Sequence, residues 1–260
     1  MLVMKSLDDY DRAREVRVNR FPASRAMNSL WARVEFNADG PVVGQAAMPV
    51  ADVIASLERG KSWTETARTL DIEPIDAVAA IAVGALGEPT SLGVSLIREA
   101  PLHPSLRPAL SESAIRSIVP KADRAKVLAF VAGLLQIHNF WEESHEAAQL
   151  ADDACERDVS SYWHAIAHRR EPDPGNAAYW FRRIGRHPVF EPLRQEAGPI
   201  IEAAGYANIL DYATAWNPVA FIDFCSKARP GSIDEALVRR IQRIEMIALL
   251  DATARAIGLL

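Results

Sequence analysis

Five of the six histidines fall between positions 138 and 187, and acids recur among them at regular steps. His138, Glu142 and His145 stand at offsets of zero, four and seven, and so do His164, His168 and Glu171. On a helix, residues at those offsets line one face. The first triplet reads H-x-x-x-E-x-x-H and the second H-x-x-x-H-x-x-E. Imidazole and carboxylate together are ligands suited to Zn, Fe or Mn. His138, His145, His164 and His168 are therefore the candidate metal ligands. Glu142 is the candidate fifth ligand or general base, the role in which it would be catalytic. Glu171 or Asp173 could orient an imidazole from outside the ligand set.

A second chemistry rests on charge. Residues 164–187 hold five arginines against Glu171 and Asp173, for a local balance of +3. Arg169, Arg170, Arg182 and Arg183 beside Tyr179 and Trp180 would suit a phosphate or carboxylate ligand carrying a stackable ring. The same residues also admit a purely architectural reading. Each histidine could satisfy a buried partner, and the arginines could pair with Glu142, Glu146, Glu171 or Asp173 between helices.

Several activities are excluded by spacing. His164-Ala-Ile-Ala-His168 lacks the glutamate of a zincin H-E-x-x-H. Glu142-x-x-His145 is a single E-x-x-H, and a di-iron bundle needs two. Ser144 adjoins His145 and would point away from it on a helix. Neither G-x-G-x-x-G nor G-K-[ST] preceded by the phosphate-loop glycine occurs.

The elements that must carry these groups read as helices. Pro49 opens a helix from Val50 to Arg59, ended by Gly60. Ser62 with Glu65 forms a capping box for the next helix. Pro74 starts a third, carrying Ile75, Val78, Ala79, Ile81 and Ala82. Val127, Phe130, Val131, Leu134 and Leu135 make a stripe leading into His138. Asp173-Pro174-Gly175 is turn chemistry, and Asn176 is a good N-cap. Ser232 with Glu235 starts a long final helix that presents Leu237, Ile241, Ile244, Ala248 and Asp251 on one face. No stretch alternates convincingly enough to be read as a strand.

The chain divides into a charged arm (1–39), a helix-turn-helix-like module (40–87), a Pro-rich linker (88–120) and a helical bundle (121–260). The arm has six arginines from Arg12 to Arg33 against Glu15. Gly40-Pro41-Val42-Val43-Gly44, Pro49-Val50, Gly60-Lys61-Ser62 and Pro74-Ile75-Asp76-Ala77-Val78 together resemble a small antitoxin-type domain family found beside PIN-type toxins. That resemblance implies a protein partner for residues 40–87. The family's G-T-R string is here Gly44-Gln45-Ala46, without the arginine. The module holds three bases and six acids, which argues against nucleic acid as partner.

His168-Arg169-Arg170-Glu171-x-Asp173 and Tyr179-Trp180-Phe181-Arg182-Arg183 resemble a signature in a group of uncharacterised all-helical proteins. The likeness extends from His138 and Ser144-His145 to Trp216-Asn217-Pro218 and Phe221-Ile222-Asp223, over residues 125–255.

Composition frames these expectations. With 260 residues, 49% apolar and 24% charged, the chain has the makings of an ordinary globular core. A net charge of −5 draws it to neither nucleic acid nor anionic lipid. Cys155 and Cys225 are too few for a disulfide framework. The N-terminal residues lack a signal-peptide apolar stretch, and the longest apolar runs are too short for a bilayer. The expectation is an all-α, cytoplasmic protein. Its bundle binds a divalent metal or a small anionic ligand, or else serves as scaffold for an interaction module at residues 40–87.

Overall fold

A computed structural model of the chain describes residues 29–89, 91–206 and 215–260. Most of the arm expected over residues 1–39 lies outside them.

The described chain is mainly helical. It holds eleven α-helices, preceded by a small sheet. The small sheet is a departure of detail from the all-α expectation, which the mainly helical fold otherwise meets. Strands β1 (Val34–Asn37), β2 (Gly40–Val43) and β3 (Met48–Pro49) form an antiparallel meander in the order β1-β2-β3. Val34 faces Val43, and Val43 in turn faces Met48. Strands of four, four and two residues are too short to display a period of two, and Gly40-Pro41 obscures it further.

Helices α1 (Val50–Glu58), α2 (Trp63–Leu70) and α3 (Pro74–Leu86) follow. The capping box at Ser62 and Glu65 is formed in both directions. Pro49 stands just before α1, as its N-cap, and Pro74 occupies the first turn of α3. Helix α3 is buried over most of its length, from Ile75 to Val83 and again at Ala85 and Leu86.

A 3-10 turn (Pro104–Leu106) and α4 (Glu112–Ile118) interrupt the proline-rich stretch. Then come α5 (Arg124–Ile137), α6 (Trp141–Asp153), α7 (Val159–Arg170), α8 (Pro174–Ile184), α9 (Phe190–Ala203), α10 (Pro218–Lys227) and α11 (Ile233–Ala256). Helix α5 is buried on every side from Val127 to Ile137 and sits centrally, packed on α3, α4, α6, α7 and α11. A helix without a polar face must be enclosed by others. Gly133 on α5 lets the Trp163 indole lie against the backbone. A Cβ there would come within 2.7 Å of the ring.

One apolar core runs from Leu30 to Ile257. Polar ties cross it. Arg243 on α11 donates to the carbonyls of Leu86 and Gly87 at the end of α3 (2.8 and 2.7 Å). Asp251 on α11 accepts the Leu30 N–H at 2.9 Å. The segment near Gly93 to Ile97 is fastened by Gln242 to Val94 and Ser95, and by Arg239 to Gly93. Among the described residues no helix is long and apolar enough to cross a membrane.

Candidate metal centre

Helices α6 and α7 pack side by side. His145 stands on α6. His164 and His168 stand one turn apart on α7, so both imidazoles project from the same face. The three rings converge. His164 Nε2 lies 2.8 Å from His145 Nε2, which lies 3.3 Å from His168 Nε2. His164 and His168 are buried and His145 is half-buried. Three nitrogens bound tetrahedrally at about 2.0–2.1 Å from zinc would lie about 3.3 Å apart, so the spacing is close to that of a ligand set.

The protonation of the trio can be followed from its partners. His168 Nδ1 lies 2.9 Å from Glu171 Oε2. A carboxylate only accepts, so Nδ1 carries the proton, which in the neutral ring leaves the lone pair on Nε2. Arg98 holds the other oxygen of Glu171 in an ion pair. This is a carboxylate–histidine arrangement of the kind that sets the tautomer of a metal-ligating imidazole. Burial pushes His164 down to about 3, helped by the neighbouring His145, His168 and Arg183. Burial also lowers His145, with His168 adding to it. These two rings therefore stay neutral at physiological pH, the form a cation requires.

Two stacked ladders brace the rings. The Trp141 indole lies parallel to His145 (centroids 5.1 Å, 20°), and the Arg98 guanidinium covers Trp141 at 3.3 Å. Trp180 lies on His164 (3.8 Å, 19°), and Arg183 covers Trp180 at 4.7 Å. Each ladder runs arginine, indole, imidazole. Trp141 is anchored by its Nε1–H to the Ala167 carbonyl at 2.8 Å.

A second grouping joins His168, Glu171 and Asp173, with ligand atoms within 4.8 Å of one another. Its acids are already engaged. Glu171 serves His168 and Arg98, and Asp173 Oδ1 accepts the Asn176 N–H at 3.0 Å as the N-cap of α8. Asp173 thus holds the capping position expected of Asn176.

Not every expected residue joins the site. Helix α5 stops at Ile137, and Asn139 turns the chain with φ 64° before α6 begins. The triplet His138, Glu142, His145 is therefore split between two elements. His138 is fully buried beside α3, with Nε2 3.1 Å from the Ile81 carbonyl. Glu142 is 78% exposed and turned toward Arg98 at 3.8 Å, away from the imidazole nitrogens.

The arginines also divide. Arg169 is buried against Glu245, which also accepts from Tyr162. Arg170 donates to the carbonyls of Ser95, Ile97 and Gln136 and to Asn139. Both are committed inside the protein rather than to a ligand. Arg182 is exposed on α8. Arg183, Trp180 and the exposed Tyr179 border the histidines, and Arg183 pairs with Asp152 at 3.4 Å.

Sequence reasoning missed Trp141, Arg98 and the placement of Asn176 over His168. Trp141 had a visible signal, since it precedes His145 by one helical turn. Arg98 had none, because its partners lie 43 and 73 positions away along the chain, at Trp141 and Glu171.

No known protein family matches the chain, and neither does any curated protein or solved structure compared with it.

Proposed function

We propose that the protein binds a divalent transition metal, zinc foremost, through the Nε2 atoms of His145, His164 and His168. Glu171 holds His168 in the ligating tautomer. The observation that carries this reading is the meeting of three imidazole nitrogens from two helices, at 2.8 and 3.3 Å. Three neutral nitrogens without a carboxylate among them form a donor set known for ions that keep a position for an external ligand. Metal analysis of the purified full chain tests it, with His164→Ala as control. One equivalent of zinc, lost in a variant whose circular dichroism is unchanged, is the expected result. A folded parent chain that takes up no zinc, cobalt or nickel would refute it.

A second reading concerns residues 40–87 as a helix-turn-helix-like protein-contact module. It is supported by an open groove beside the sheet, where Glu35, Asp71, Glu73 and Asp76 outnumber Arg33. Such a balance suits a basic partner segment. Salt-sensitive binding of a lysine- and arginine-rich peptide, weakened by Glu35→Lys, would bear this out. Equal binding by both chains would count against it.

A further inference from the structure

A divalent ion held by three neutral imidazoles keeps its full charge. The carboxylates around the trio are already committed. Glu171 binds His168 and Arg98, and Glu142 faces Arg98. Asp173 caps α8 through Asn176, and Asp152 takes Ser161 and Arg183 at 3.0 and 3.4 Å. Each of these carboxylates is already paired within the protein.

One further polar group reaches the trio. Asn176 is half-buried on the first turn of α8, and its Nδ2 lies 3.1 Å from His168 Nε2 and 3.3 Å from Nδ1. Near-equal distances place the amide over the ring rather than in line with either lone pair. Because Nδ1 donates to Glu171, the ring edge nearest the amide is electron-rich at Nε2, which selects the N–H side of the carboxamide. An ion on Nε2 would sit beside an amide N–H that is 3.1 Å from that nitrogen and over the ring, within reach of a further ligand bound on that side. A donor in that place favours an anion. Of the three histidines only His145 is part-exposed, so access from solvent lies on its side.

Resting on the three-imidazole reading above, we infer that the fourth coordination position takes a small external monoanion of the carboxylate or oxyanion class, and that the side-chain amide of Asn176 donates to it. Asn176 is thus a selectivity residue, not a metal ligand.

The test uses the full chain loaded with cobalt(II), with sodium azide and sodium formate as anion probes and the visible spectrum as readout. In the parent chain both anions shift the cobalt bands saturably. Asn176→Ala keeps the cobalt affinity and loses about tenfold in azide affinity, the worth of one charge-assisted hydrogen bond. Asn176→Asp, which brings its own carboxylate, resists azide at any practical concentration. A parent spectrum indifferent to both anions overturns the inference, and so does an Asn176→Ala chain that binds azide as tightly as the parent. Loss of cobalt in Asn176→Ala would make the amide oxygen a ligand and close the position, which also overturns it. If folded parent protein takes no cobalt at all, the metal reading itself has failed.

Discussion

The indole of Trp180 lies flat on the imidazole of His164, 3.8 Å between centroids and 19° from parallel. A paramagnetic ion on His164 Nε2 would be separated from that indole by one ring. Titration with cobalt or nickel should therefore lower the tryptophan emission and saturate at one equivalent. Trp180→Phe should remove a large share of that quenching while keeping the metal. Bound metal with unchanged emission would place the ion elsewhere.

Glu171 touches the site at His168 and, through Arg98, at the Trp141–His145 ladder. Glu171→Gln preserves shape but takes away the carboxylate that fixes the proton on Nδ1. Metal affinity should fall by about 10- to 100-fold, the usual cost of losing such a partner. Competition against a chromophoric chelator measures it. Glu142→Gln, altering an exposed side chain turned to Arg98, should leave the affinity nearly as it was.

Arg169 and Glu245 form an ion pair with both side chains buried. Tyr162 donates to the same carboxylate, and the guanidinium rests over Phe221 at 4.7 Å. Glu245→Ala strands a cation away from water and should cost about 3–5 kcal/mol in urea unfolding. Replacing the pair together with apolar residues of similar volume should cost far less. A double variant as unstable as the single one would show that the pair contributes more than mutual neutralisation.

His138 gives a pH dependence with a definite sign. Burial lowers it from 6.5 to about 4, with the Ile81 carbonyl opposing that shift and His103 adding to it. The unfolded chain takes up this proton first as pH falls, so acid favours unfolding. The stability is fully present above about pH 6.5 and is lost progressively toward pH 4, by about 3 kcal/mol for this group. His187, lowered to about 4 by burial, acts in the same direction. Urea midpoints of His138→Gln against the parent, from pH 7 to pH 4, should converge as pH drops. Parallel curves would mean that His138 takes up its proton over the same pH range in the fold as in the unfolded chain.

Much of the helical framework was legible from local chemistry. Ser62 and Glu65, Pro74, and Ser232 with Glu235 each mark the helix start that the structure shows. The sheet was hidden because its strands are shorter than the pattern that identifies a strand. Within the site, His145, His164 and His168 were readable from spacing. His138 was misplaced because equal spacing assumes one unbroken helix, and the turn at Asn139 breaks it. The roles of Arg169 and Arg170 could not be read locally. Glu245 follows Arg169 by 76 positions, and the carbonyls that hold Arg170 come from main chain as distant as Ser95. Arginine-rich sequence looks the same whether it faces a ligand or a buried acceptor.

Helix α11 supplies both the Arg243 contacts at Leu86 and Gly87 and the Asp251 contact at Leu30. Those carbonyls and that amide emerge from the ribosome well over a hundred residues before their partners do. Until residues 233–256 are available, these three groups have only water to satisfy them. A chain truncated before α11 would leave the Leu86 and Gly87 carbonyls and the Leu30 amide without these partners, an opening of the kind that chaperones and proteases act on.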